Sequence, residues 1–287
     1  MYNRMNISVA LLLLTAFIGY SDALRYYGDP SYVGLKYKDT KPPAVPRQSR
    51  IQTENYVLGG HVAANGAVPF QVSIQNRFGN HFCGGAIIDD QYVLTAASCV
   101  GGLQKSNIKV VTGTNDWMGL AIQYEVEDII IHCNFDKPLY HNDIALIKLA
   151  TLVAYDDVTK NITVAELNEL VPGETLTFTG WGEDQEGANY PNDLKQLNVL
   201  YISNTDCKAA YGNVDDVDLG HVCTKSPVGE GACHGDTGGP LINSKGQLVG
   251  INNFGIPCGR GFPDVFASVA FYNDWIRTTI KGCNLES

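Results

Sequence analysis

The stretch Gly231-Ala232-Cys233-His234-Gly235-Asp236-Thr237-Gly238-Gly239-Pro240 crowds an imidazole, a carboxylate and a hydroxyl into one glycine-rich turn. Two further stretches carry polar groups inside otherwise apolar runs. Val93-Leu94-Thr95-Ala96-Ala97-Ser98-Cys99 offers Ser98, and His141-Asn142-Asp143-Ile144-Ala145-Leu146 offers Asp143. A hydroxyl at its ordinary pKa is a poor nucleophile and needs an adjacent base to take its proton. Thr237 is thus a nucleophile only if a base stands beside it, and Ser98, with no pKa near neutrality, is no base.

The turn resembles the Gly-Asp-Ser-Gly-Gly-Pro nucleophile loop of the chymotrypsin/trypsin family of serine proteases. Gly235, Asp236, Gly238, Gly239 and Pro240 all match, and Thr237 replaces the serine. The Ser98 stretch resembles the family's Leu-Thr-Ala-Ala-His-Cys, with Ser98 in place of the histidine, while Asp143 keeps the family's aspartate. Of the triad positions Ser98, Asp143 and Thr237, only Asp143 therefore retains its residue. In this mechanism, loss of nucleophile or base alone costs roughly a million-fold in turnover, about 8 kcal/mol of barrier. Thr237 lies inside the chain, so it cannot use its own amino group as base, and its methyl crowds the place of an imidazole.

The resemblance implies further roles. The backbone N–H groups of Gly235 and Thr237 correspond to an oxyanion hole. Gly231 falls at the base of a specificity pocket, Gly255 on its wall and Asp264 on the returning strand, an arrangement similar to the broad-specificity collagenolytic proteases of crustaceans. His81 and Ser73 match positions that, with Asp236, form a hydrogen-bonded network in the zymogen. His234 falls on the pocket rim. Asn253 stands where a serine often supports the aspartate. Implied disulfides are Cys83–Cys99, Cys207–Cys223 and Cys233–Cys258, and the family fold brings Cys133 near Cys283 as a fourth pair. No cofactor or metal is implied, since Gly113-Thr114-Asn115-Asp116 lacks the family's first calcium-ligating glutamate.

The chain that must position these groups has 287 residues, 45% hydrophobic and 17% charged, which suits a full core. Residues 1–23 read as a signal peptide: Arg4, an apolar run from Ile7 to Ile18, then Ser21-Asp22-Ala23. The run is shorter than the roughly 20 residues of a membrane span. Eight cysteines in a secreted chain imply disulfides. Residues 24–56 form a basic pro-segment with six Lys/Arg against three Asp/Glu. Its Lys41-Pro42-Pro43-Ala44-Val45-Pro46 favours a polyproline-like backbone, and Arg47 and Arg50 offer cuts to a trypsin-like processing enzyme. The family domain spans 57–287, opening on Val57-Leu58-Gly59-Gly60, which resembles the family's Ile-Val-Gly-Gly. Tyr56 precedes it in place of Arg or Lys, so a cut after Arg50 leaves six surplus residues and no α-amino group at Val57. An acidic body argues against nucleic acid and anionic membranes as partners. Asn161-Ile162-Thr163 is a glycosylation sequon.

From Val68 onward short stretches of period two alternate with turn residues, the pattern of an all-β sandwich or barrel. Strands are expected at 71–75, 92–96, 108–112, 124–132, 145–149, 175–180, 196–202, 221–224, 240–243, 247–252 and 264–269. Helices are expected from Ser203 or Asn204 through Tyr211, and from Ala270 to Lys281 with Phe271, Trp275 and Ile280 on one side. The resemblance makes this two six-stranded antiparallel β-barrels with a site between them and a short C-terminal helix. The expected protein is a secreted homologue without proteolytic activity that binds extracellular proteins, either active proteases or their substrates. The rivals are a weak endopeptidase using Thr237 and a storage or structural protein.

Overall fold

The computed structural model describes residues 58–136, 139–167, 169–213 and 216–282. The signal peptide, the pro-segment, Val57 and Cys283 lie outside the described residues.

Two closed six-stranded antiparallel barrels form the molecule. The first joins β2 (Gln71–Asn76), β3 (His81–Asp89), β4 (Tyr92–Thr95), β5 (Ile108–Thr112), β6 (Ile122–Ile131) and β7 (Ala145–Leu149) in the order β2-β3-β4-β7-β6-β5. The second joins β8 (Thr175–Gly180), β9 (Lys195–Ile202), β10 (His221–Lys225), β11 (Pro240–Ile242), β12 (Leu248–Gly255) and β13 (Asp264–Ser268). Its order is β9-β10-β13-β12-β11-β8, closed by β8 on β9, with β1 (His61–Val62) added to β9. Closure leaves neither barrel a free edge.

Interior side chains explain the strands. Val72, Ile74, Ile87, Leu94, Val110, Leu146 and Ile147 fill the first barrel, and Phe178, Leu197, Val199, Leu241 and Phe266 the second. The expected strands all form, with ends shifted by up to three residues. β3 went unforeseen because it lacks period two: His81–Asp89 is buried along most of its length and carries Gly84-Gly85, which reads as a break. The glycines are needed there. A Cβ on Gly84 would sit 2.9 Å from the backbone Cα of Gly239, and one on Gly85 2.9 Å from Val72 and Val93.

Among the described residues the α-helices are α1 (Ala97–Val100), α2 (Asn204–Ala210) and α3 (Asn273–Lys281). Ser203 caps α2, its hydroxyl oxygen accepting from the Asp206 N–H at 3.1 Å. α3 begins three residues later than expected, and Phe271 is 55% exposed rather than on the packed side. Ile276 provides the buried contact, with Trp275 and Ile280 packed beside it on the first-barrel core.

The disulfides Cys83–Cys99, Cys207–Cys223 and Cys233–Cys258 form. They fit an oxidising, extracellular compartment. Cys133 is exposed and forms no disulfide among the described residues; its expected partner lies outside them. No described helix is long and apolar enough to cross a membrane.

The barrels meet where the Gly84 N–H donates to the Thr237 carbonyl at 2.8 Å. Because backbone faces backbone at this contact, Gly84→Ala should lower unfolding free energy by about 1–3 kcal/mol. The urea midpoint of the variant reads this, and an unchanged midpoint would show that the two barrels separate without cost.

Candidate active site

α1 follows β4 directly and carries Ser98 to the seam between the barrels, with Ala97, Cys99 and Val100 buried beneath it. Asp143 comes from the loop before β7 and is fully buried. Tyr140 and Asn142, on that loop, hold positive φ values of 58° and 52°. The Asn142 side chain donates to the Asn134 carbonyl at 3.0 Å and its oxygen accepts from the Tyr272 hydroxyl at 3.3 Å. These contacts stabilise a bend that brings the next residue inward.

Ser98 and Asp143 are joined. The Ser98 N–H donates to Asp143 Oδ1 at 2.5 Å, and its hydroxyl donates to Oδ2 at 2.7 Å. Ser98 thus supplies the donors a buried carboxylate requires, and its own proton points toward Asp143. Asn253 donates to the Tyr140 carbonyl at 3.1 Å, and its buried Oδ1 has no hydrogen-bond partner among the described residues.

The Thr237 hydroxyl has no hydrogen-bond partner among the described residues, and its side chain is half-buried. Neither the Gly235 nor the Thr237 N–H meets an acceptor among the described residues. Both residues line a cavity of about 430 Å³ shared with Ser98, Tyr190, His234 and Asp264. The seam therefore brings together a free hydroxyl, two free backbone donors and the Ser98–Asp143 pair.

Asp236 fixes the turn from below. Its oxygens accept from the Gly182 N–H at 2.8 Å and the Cys233 N–H at 2.9 Å. It meets no cation among the described residues, and burial pushes its carboxyl up to about 7 against the lowering pull of these two N–H groups. A Cβ on Gly180 or Gly182 would lie 2.0 or 2.2 Å from its oxygens, so both positions admit only glycine.

The expected Ser73–His81–Asp236 network forms only in part. His81 Nε2 lies 3.0 Å from the Gly235 carbonyl, which can only accept, so Nε2 carries the proton. Nδ1 lies 2.8 Å from the Ser73 hydroxyl, which donates to it. Burial lowers the ring to about 4, so it is neutral at pH 7. The link to the Asp236 carboxylate is absent because His81 is engaged by the neighbouring carbonyl and Asp236 is turned toward Gly182 and Cys233.

Gly255 and Asp264 line the cavity, and Gly231 lies behind the Asp264 carboxylate. The Gly231 N–H donates to the Leu58 carbonyl at 3.0 Å, and the Asp264 carboxylate covers it, with Oδ2 2.9 Å from where a Cβ would stand. Asp264 Oδ2 accepts from the Ala232 N–H at 3.1 Å. Burial first, then the charge of Asp236, raise its carboxyl to about 7.

Tyr190 had no sequence signal, lying in a loop of Gly, Asn and Pro. Its ring would touch a Cβ on Gly235 at 2.8 Å and packs edge-on to His81 with centroids 5.6 Å apart. Gly235, at φ +94°, is therefore held under an aromatic lid that excludes any larger residue.

Relatives match this chain in sequence along most of its length. Residues 57–276 match the Trypsin family. The chain is 34% identical over 221 residues to Chymotrypsin-2 of Vespa crabro, covering 77% of this chain and 98% of that one. It is also 34% identical to Trypsin-1 of Astacus astacus, covering 77% and 98%. A vitellin-degrading protease of Bombyx mori is 31% identical, covering 80% and 88%. With this match over residues 57–276, relatives at 34% identity and the two barrels that meet at the glycine turn, the chain belongs to the trypsin family of serine proteases.

Proposed function

We propose that this protein is a secreted trypsin-family homologue that binds proteins in its cleft and does not cut them. On this reading residues 1–23 are a signal peptide, 24–56 a pro-segment, and the partners are extracellular proteases or their substrates. One observation carries it: Ser98 donates both its N–H and its hydroxyl to Asp143, leaving no base between that carboxylate and the Thr237 hydroxyl. The free N–H groups of Gly235 and Thr237 and the open cavity support retained binding of a peptide carbonyl. Asn161 is exposed, which suits glycan attachment at its sequon.

The unpartnered Thr237 hydroxyl, in a cavity that His234 also lines, favours a second reading as a weak endopeptidase. Fluorogenic Arg, Lys and aromatic peptides separate the two. No turnover above background is expected, and turnover abolished by Thr237→Ala would establish the enzyme instead.

Because nucleophile and base act as a unit, Ser98→His or Thr237→Ser alone should restore almost nothing. The double variant, further altered by Tyr56→Arg and cut before Val57, should regain peptide hydrolysis by several orders of magnitude. Equal activity in the uncut double variant would show that the pocket needs no inserted terminus.

The uncompensated charge of Asp236 predicts a pH dependence. Its carboxyl stands at about 7 in the fold, against about 4 in an unfolded chain. The folded state therefore holds an extra proton between those values. The stability from this group is full below about pH 4 and falls as pH rises through about 7. His81 titrates in both proteins and cancels in a comparison with Asp236→Asn, whereas Asp264 loses the charge that helps raise it, which adds to the difference in the same direction. From pH 5 to 8 the unaltered protein should lose about 3 kcal/mol relative to the variant in urea unfolding. Parallel curves would mean that a cation, such as an inserted terminus, meets Asp236.

A further inference from the structure

Two imidazoles and a carboxylate meet beside the loop that carries Asp143. His141 stands on that loop, two residues before Asp143. Asp218 comes from the turn before β10, and His221 is the first residue of that strand. The cluster therefore joins a loop of the first barrel to a strand of the second.

The two oxygens of Asp218 are used differently. Oδ1 accepts from the Gly220 N–H at 2.8 Å and lies 2.9 Å from His221 Nδ1. Nδ1 also lies 3.1 Å from the Asp218 N–H. The charged carboxylate makes the stronger bond, so Nδ1 carries the proton and donates to Oδ1. His221 is itself locked in place: it is 1% exposed and packs edge-on to Phe254 with centroids 5.6 Å apart. A Cβ on Gly220 would stand 2.7 Å from the Tyr272 hydroxyl and 3.1 Å from Oδ1, so this side of the carboxylate is closed.

Oδ2 faces the other way, toward His141 Nε2 at 4.0 Å, too far for a hydrogen bond. The His141 and Asp218 side chains are 23% and 46% exposed, so an ion can reach them from solvent. Burial alone would raise the Asp218 carboxyl. The His221 hydrogen bond and charge, the Gly220 N–H and the charge of His141 outweigh it and hold the carboxyl below its ordinary range. It is ionised at neutral pH.

A carboxylate oriented through one oxygen by an imidazole N–H, with its other oxygen turned to a second imidazole, suits a metal ligand. A zinc-class ion at about 2.0–2.1 Å from each ligand holds the two about 3.3 Å apart at the tetrahedral angle. Oδ2 and Nε2 need close by only about 0.7 Å to reach that span, which rotation of two partly exposed side chains supplies. Imidazole with carboxylate matches zinc-class ions, whereas calcium takes about six to eight oxygens and Asp218 offers too few. The other group of metal-type donors among the described residues, Glu183 with Cys233 and Cys258, is closed by the disulfide.

We propose that a zinc-class divalent cation binds between His141 Nε2 and Asp218 Oδ2, with His221 holding Asp218 and water filling the remaining positions. Its ligands belong to different barrels, so the ion staples the loop of Tyr140 and Asp143 to the start of β10. The site lies outside the cleft of Ser98 and Thr237 and does not depend on whether that cleft cuts peptides.

The test is calorimetric titration of ZnCl2 into the intact chain at pH 7.5. Thiols are first blocked with iodoacetamide, because Cys133 is exposed beside His132 and offers an alternative ligand. One ion per chain is expected, and zinc at about 100 times its Kd should raise the melting temperature by roughly 5–10 °C. His141→Ala and Asp218→Asn should each abolish the binding, with circular dichroism checking that each is folded. His221→Phe removes the hold on Asp218 but neither ligand, and should weaken binding about 10–100-fold. Should one ligand variant fail to fold, the other and His221→Phe decide. Saturable binding retained by either folded ligand variant would overturn the bridge. Binding that disappears on thiol blocking would place the ion at Cys133, and equally tight binding of CaCl2 would mean an oxygen cage; either result overturns the assignment. No saturable binding by the blocked chain would overturn the site itself.

Discussion

The buried carboxylate of Asp236 is the constraint on which the site depends. A carboxylate taken out of water must be met by donors, and two backbone N–H groups meet it here, from Gly182 and Cys233. The first bond ties the β8–β9 loop to the turn that carries Gly235 and Thr237, and the second closes that turn on itself. The glycines at 180 and 182 exist because Asp236 occupies the space their side chains would take. On the other side, the Gly238 Cβ position is closed by the Thr95 hydroxyl at 2.4 Å and the Gly84 carbonyl at 2.5 Å. The turn is thus clamped between both barrels, and nothing in that clamp involves the hydroxyl at 237. Its geometry survives whatever residue projects from it.

Asp143 shows the same separation of structure from chemistry. Its burial demands donors regardless of function, and a histidine would give it one ring N–H. Ser98 meets the demand with a backbone N–H and a hydroxyl. What a serine cannot do is extend a second nitrogen toward residue 237. The structural requirement is met locally, within hydrogen-bond reach of the carboxylate, whereas the chemical one needs a group that bridges two partners. The first can therefore persist after the second has gone.

Much of this was legible in the sequence because the determinants are local. Period-two runs located eleven strands, and the three disulfide pairs followed from family positions that the barrels bring together. The misreadings share a different cause. β3 is buried on both faces and holds two glycines whose reason is a neighbour distant in sequence, Gly239. That the Asp264 carboxylate, 33 residues later, turns over Gly231 was not legible from spacing either. His81 found the Gly235 carbonyl rather than the adjacent Asp236 side chain, a choice of about one residue's length that no spacing rule resolves. Tyr190 left no signal at all, since its role is to cover a glycine contributed by another loop.

On the proposed reading the cleft lacks a base, and a cleft without a base need not lack affinity. Only interactions stronger in the transition state than in the ground state accelerate a reaction. Proton transfer from the nucleophile belongs to that class, and its removal leaves ground-state contacts untouched. The groups that contact a resting peptide are different ones: the free N–H donors of Gly235 and Thr237, the Tyr190 and Phe254 rings and the Asp264 carboxylate, all of which still border the cavity. On the proposed reading, Ser98 in place of a base therefore leaves binding without turnover. The glycines at 231 and 255 then have a continuing reason to remain, because a side chain at either would crowd Asp264 and close the one charged group the cavity offers.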